Sequence, residues 1–192
     1  ADVNVATGDR MAFRLNAYAQ GLDNHRDFFD GDGFAVNPTL RVELGPATSG
    51  FVSYEYLEDD RVVDRGVPSR AVADAPNEPL DGFDDTFFGS PAENATSLEA
   101  HLLRARVDHT FSDALRGNLT VQYADYDKVY QNLYPSDAVV VSGGTIPAVE
   151  LDGYRDATDR QNLIAQANLI GAFETGAVEH TVLFGIEAGD QD

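Results

Sequence analysis

Residues 11–20 read MAFRLNAYAQ. Met11, Phe13, Leu15, Ala17 and Ala19 take the odd positions, and Arg14, Asn16, Tyr18 and Gln20 take even ones. A period of two puts the apolar set on one face of a strand and the polar set on the other, whereas a helical period would scatter both. Residues 34–44 repeat the pattern, with Phe34, Val36, Leu40, Val42 and Leu44 opposed to Asn37, Thr39, Arg41 and Glu43. Pro38 interrupts it. Lacking an N–H to give to a ladder, Pro38 reads as a bulge or a strand end.

Further half-polar strands follow at Val52/Tyr54/Tyr56, at Leu103/Ala105/Val107, at Leu115/Leu119/Val121/Tyr123, and over about 161–173 and 178–188. Leu98, Leu102, Ile164 and Ile170 fall on the polar side of their strands, so the sequence predicts bulges or packed inner patches there. In all, seven strands and a stub before residue 7 are expected.

The connections alternate in length. Residues 7–10, 45–50, 111–114 and 174–177 are short and carry Gly, Pro, Asp or Ser, whereas 21–33, 58–97 and 127–160 are long. Antiparallel neighbours joined in this way gather the short turns at one end and the long loops at the other, as in outer-membrane barrels with short periplasmic turns and long extracellular loops. The long stretches hold 20 acidic and seven basic residues. Tyr54, Tyr56, Tyr123 and Tyr126 lie near the long-loop ends and Phe51, Phe111 and Phe173 beside the short turns, as two interfacial girdles require.

The 192 residues suffice for one domain, and 43% hydrophobic with 24% charged residues is an ordinary folded composition. With 33 acidic residues, 13 basic ones of which only Lys128 is a lysine, and a net charge of −20, the chain lacks the clustered cations that nucleic acid demands. The absence of cysteine removes disulfides, thiolate metal sites and thiol nucleophiles. No apolar run reaches the roughly 18 residues of a membrane-spanning helix, which says nothing against strands that cross by alternation.

Catalytic signatures are missing: His25, His101, His109 and His180 are scattered, and neither H-E-x-x-H nor G-x-S-x-G occurs. Asp30-Gly31-Asp32-Gly33 fails as a calcium loop because Arg41 stands where the closing Glu belongs, and as a dinucleotide fingerprint because Val36 replaces the third glycine. Asp84-Asp85 and Glu58-Asp59-Asp60 read as solvated acidic loops, so no catalytic or metal site is assigned. Tyr126, Tyr130 and Tyr134, four apart, are candidates to line a pocket mouth for an aromatic or chelating ligand.

Particular stretches resemble the barrel of TonB-dependent ferric-siderophore receptors. They are RLNA at 14–17, RDFFDGDGFAVNPTLRVEL at 26–44 and SYEYLEDDRVVDRGVPS at 53–69, with DRGVP at 64–68 the most telling. TFFG at 86–89, HLLRARVDHTFSD at 101–113, YADYDKVYQNLYP at 123–135 and DRQNLIAQANL at 159–169 follow in the family's order, so the resemblance spans nearly the whole chain. It implies an all-β, antiparallel up-and-down transmembrane segment of a 22-stranded barrel in the bacterial outer membrane. Residues 1–192 would form part of that domain, the plug and remaining strands being absent.

The resemblance further implies TonB-energised uptake of an Fe(III)-siderophore as cargo, with no resident cofactor, and TonB contact through an N-terminal part that is missing. Outer-membrane lipid would surround the apolar face. Arg14, Arg41, Arg104, Arg106 and Gln122 would face the lumen. Arg26, Arg65, Tyr126, Tyr130 and Tyr134 are the candidates for ligand contact, since Arg suits carboxylate or catecholate oxygens and Tyr offers a stacking face. Two other classes compete: a passive porin-like channel, and a soluble β-sandwich that would bury the Met11/Phe13/Leu15 side against a second layer.

Overall fold

The computed structural model describes residues 1–143, 146 and 148–192. One eight-stranded antiparallel sheet holds β1 (Asp2–Gly8), β2 (Met11–Asp23), β3 (Asp30–Gly45), β4 (Thr48–Val62), β7 (Ala95–Ser112), β8 (Leu115–Pro135), β9 (Leu151–Thr175) and β10 (Val178–Gln191), in that order. β5 (Ser69–Arg70) and β6 (Glu78–Pro79) make a small hairpin inside the connection from β4 to β7. The sheet is not closed: β1 and β10 each have one neighbour among the described residues.

All seven expected strands are present, and the stub is an eighth, β1, paired with β2 from Asp2↔Asn16 to Gly8↔Met11. Its signal was in the sequence, where Val3 and Val5 alternate with Asp2 and Asn4. The four tight turns share one end of the sheet. Register shifts mark three of them, at Ala6/Gly8, Glu43/Gly45 and Thr110/Ser112, the local extra twist that closes short hairpins.

The strands outrun the apolar alternation. β8 has 21 residues and β9 has 25, about twice the 9–11 that cross a bilayer at a barrel's tilt. The connections expected at 21–33 and 127–160 therefore shrink to 24–29 and 136–150. Beyond the lipid boundary neither face of a strand meets hydrocarbon, so the hydrophobic period stops while the backbone ladder continues.

No inner bulge relieves Leu98, Leu102, Ile164 or Ile170: β4, β7, β8 and β9 keep register through these positions. Leu57, Leu98 and Leu102 instead share the polar face with buried Ala100 and Ala124 as a packed inner patch. Pro38 lies within β3, opposite Leu15, and is neither a bulge nor an end. The ladder to β4 skips a step between Val36↔Tyr56 and Thr39↔Ser53 without changing register, and there Asn37 Nδ2 donates to Glu55 Oε2 at 3.2 Å.

No second layer covers the Met11/Phe13/Leu15 face among the described residues, and Met11 (44%), Leu119 (51%), Phe184 (68%) and Ile186 (65%) stay open. The described residues thus form a single sheet and not the two layers of a β-sandwich. The buried core sits at the long-loop end, in Val63, Leu80, Val139, Ala100 and Ala124 with Asn94 and Asn132.

Candidate functional site

Strand parity sorts the two faces. Arg14 stands opposite Thr39, Thr39 opposite Ser53, Ser53 opposite Arg104 and Arg104 opposite Gln122, while Arg41 reaches Arg106 across Phe51. The five residues expected on the inner wall thus share one polar face. Arg14 is paired with Asp2 at 2.7 Å, Arg41 with Glu43 at 3.1 Å and Arg106 with Asp108 at 2.6 Å, whereas Arg104 donates to the neutral Gln122 Oε1 at 2.5 and 2.9 Å.

The other face carries Phe13, Leu40, Val52, Leu103 and Val121, and its upper limit is drawn by tyrosines. Tyr54 meets His101 Nδ1 at 2.6 Å, Tyr56 donates to Glu58 at 2.7 Å and Tyr123 to Asp125 at 3.4 Å, so each ring ends at a polar group, an imidazole or a carboxylate. Beyond that line, burial and then the carboxylates of Glu58, Asp59, Asp32 and Glu99 push the Asp60 carboxyl above its ordinary value. At the tight-turn end, Phe111 packs edge-on to His109 and Phe173 stacks on His180. Two girdle assignments change: Tyr126 pairs with Ala100 and Arg160, and Phe51 with Arg106, which puts both on the polar face. Distance from a turn does not reveal parity.

DRGVP forms a projecting corner. Asp64 Oδ1 accepts the Gly66 N–H at 2.8 Å, and Gly66 turns the chain at φ +86°, a conformation that suits glycine. Asp64 also forms an ion pair with Arg26, whose guanidinium donates to the carbonyls of Asp84 (2.8 Å) and Thr86 (2.9 Å). Arg26 is in turn presented by an Asn24 side chain that accepts its N–H at 2.7 Å. With side chains 12% and 9% exposed, Arg26 and Asp64 are a clasp between two loops. The guanidinium expected to meet ligand is already occupied there.

Behind the corner, Asn94 is 1% exposed and fully bonded. Its Nδ2 donates to the Val63 and Leu133 carbonyls, both at 2.8 Å, and its Oδ1 accepts from Leu133 N at 2.9 Å and Ser90 N at 3.2 Å. Gly89 is required beside it, because a Cβ there would stand 2.7 Å from Asn94 Nδ2 and 3.0 Å from the Phe87 ring. A third tie joins the loops where Val139 N donates to Ser69 O and Ala71 N to Val139 O, both at 2.8 Å.

So held, Arg65 reaches the polar face of β8 and β9. Its guanidinium carbon lies 5.1 Å from the centroid of the Tyr134 ring, within cation–π range, and Nη1 donates to Tyr130 Oη at 3.3 Å. Tyr130 stacks on Tyr154, ring centroids 5.7 Å apart. Hydrogen bonds to the Tyr130 and Tyr154 hydroxyls hold the Arg65 guanidinium above its ordinary pKa, so its charge is fixed. No ion pair neutralises it among the described residues. Three of the five expected contact residues, Arg65, Tyr130 and Tyr134, are brought together. Tyr126 lies four residues down β8, about 13 Å away along the strand. Tyr154 was missed, its partner strand having been read as loop.

A cation framed by aromatic faces is suited to a planar, anionic, aromatic ligand. No group of three or more metal-binding side chains occurs among the described residues.

Known proteins narrow the meaning of this arrangement. No protein-family model matches the chain. The metal-pseudopaline receptor CntO of Pseudomonas aeruginosa is 26% identical over 178 residues, 92% of this chain and 24% of the relative. The catecholate siderophore receptor Fiu of Escherichia coli is 27% identical over 97% of the chain and 26% of its own length, and a probable TonB-dependent siderophore receptor, PiuA, of Acinetobacter baumannii is 25% identical over 81% and 21%. Its homologues are TonB-dependent siderophore receptors.

The chain spans about a quarter of the length of these relatives. In structure it is similar to Fiu in an open form, with a TM-score of 0.82 at 21% identity over 99% of the chain and 31% of that protein. The ferripyoverdine receptor of the outer membrane of P. aeruginosa gives 0.77 at 16%, over 99% and 25%. The sheet therefore has the fold of a partial outer-membrane barrel wall, and such a wall turns an apolar face to lipid and a polar face to the lumen.

Proposed function

We propose that the whole protein is an outer-membrane receptor and transporter, not an enzyme, that takes up an Fe(III)-siderophore with energy from the TonB complex. In this reading the segment supplies a stretch of lumen wall and a loop site that captures the cargo. The carrying observation is Arg65, a charge without a carboxylate partner among the described residues, set against Tyr130, Tyr134 and Tyr154 at the long-loop end of the sheet. Relatives named for catecholate siderophores and for metal-pseudopaline support a metal chelate as the cargo. Arg26 supports capture indirectly, by clasping Asp64 and so aiming Arg65.

The test uses the full-length receptor in cells that otherwise lack it, supplied with a radiolabelled ferric catecholate. Uptake is expected to stop when the TonB complex is removed. Arg65→Ala is expected to weaken binding about tenfold or more, since a charge-assisted hydrogen bond contributes about 1.5–3 kcal/mol. Uptake that persists without the TonB complex would make the protein a passive pore. Equal binding by the Ala variant would remove Arg65 from the site.

A further inference from the structure

Asn132 is 0% exposed, and neither its Nδ2 nor its Oδ1 has a hydrogen-bond partner. No other residue has such orphaned side-chain atoms among the described residues. The sheet does not bury it unaided. On β8 it shares the polar face with Gln122, Tyr126 and Lys128, which all remain at least partly open to solvent. What lies against this end of the strand is the connection from β4 to β7. It re-enters the sheet at Asn94, one ladder step beyond Ala95↔Gln131 and so beside Asn132, and is tied there to both backbone groups of Leu133.

Two buried amides thus stand next to each other with opposite balances. Asn94 makes four bonds and holds the connection down. Asn132 makes none. It gives up its hydration while the connection is closed and regains it when the connection lifts. A buried polar group without a partner disfavours the state that buries it by a factor of about five or more, and native structures tolerate few of them. An apolar side chain at the same place acts in the other direction, because its exposure is the unfavourable event.

We propose that Asn132 is a release element built into the fold. Its orphaned amide offsets part of the Asn94 tie and keeps the connection over 63–94 poised to lift from the polar face. Asn132 touches no ligand in this role. It sets how often the long-loop end of the wall is uncovered, and the inference goes beyond the transport reading because it holds for any cargo or none.

The opening is read by hydrogen exchange on the full-length protein in detergent. The amides of Val63, Ser90, Asn94 and Leu133 report it, since each donates within the Asn94 tie, and those of Leu103 and Val121 report the wall. Asn132→Leu keeps a forked side chain without polar atoms. It is expected to slow exchange at the tie about tenfold and to leave the wall unchanged. Asn132→Val, smaller and favoured in strands, is expected to act in the same direction and serves if Leu is too large to pack.

Slower exchange at the tie in either variant, with the wall unchanged, supports the release role. Unchanged exchange at the tie in both variants would overturn it, because the amide would then not bias the opening. Faster exchange in both would overturn it as well, since the amide would then be bonded in the closed state, to water for instance, and would stabilise that state. Slowing that extends to Leu103 and Val121 would mark a gain of the whole sheet and would equally remove the assignment. None of these outcomes bears on the cargo, which the uptake experiment tests separately.

Discussion

Replacing Asn94 with alanine should free the DRGVP loop while leaving the barrel wall intact. Four bonds end at this side chain, and the truncation leaves the Val63 carbonyl and both the N–H and carbonyl of Leu133 without partners. Each orphaned group costs about 1–3 kcal/mol, reduced where the vacated space admits water. The low end of the three together is about 3 kcal/mol, or roughly a hundredfold in a local opening equilibrium. Hydrogen exchange on the full-length protein in detergent reads this directly. The amides of Val63, Asn94 and Leu133 should exchange about a hundredfold faster, and those of Leu103 and Val121 should not change. Protease should then cut within 64–93. A change under about threefold at these amides, or loss of protection across the whole sheet, would refute the assignment of Asn94 as a local tie.

Other substitutions probe separate parts of the structure. Asp64→Ala leaves the Arg26 guanidinium buried without its charge partner, a loss of about 3–5 kcal/mol, and should make both loops protease-sensitive; the double change Arg26→Leu with Asp64→Leu should restore most of the resistance. Leu119→Arg puts a charge on the lipid face and should lower unfolding stability in bilayers by about 2–4 kcal/mol, whereas Gln166→Arg, facing Glu187 on the polar side, should stay within about 1 kcal/mol. Equal tolerance of the two would mean the faces are assigned backwards.

What the sequence disclosed follows from what surrounds each strand. Over 11–20 and 34–44 one face meets hydrocarbon and the other water, and that contrast is written in the residues as alternation. Over 127–135 and 151–160 neither face meets hydrocarbon, so the strands of β8 and β9 leave no periodic trace and were read as loop. The pairing of Asn132 with Tyr154 was hidden for the same reason. Arg65 with Tyr130 and Tyr134 could be chosen by chemistry, since a free cation and spaced aromatics are visible in one dimension. The roles of Arg26 and Asn94 were not, because each depends on partners up to 60 and 39 residues away in the chain. Nothing local distinguishes a clasp from a ligand contact.

The three inter-loop ties carry a consequence for engineering. Arg26 to Asp64, Asn94 to Leu133 and Ser69 to Val139 join stretches contributed by three different hairpins. A chimaera that grafts one of these loops from a relative would sever at least one brace and misaim its neighbours. Transplanting recognition therefore calls for moving all three hairpin tips as one cassette.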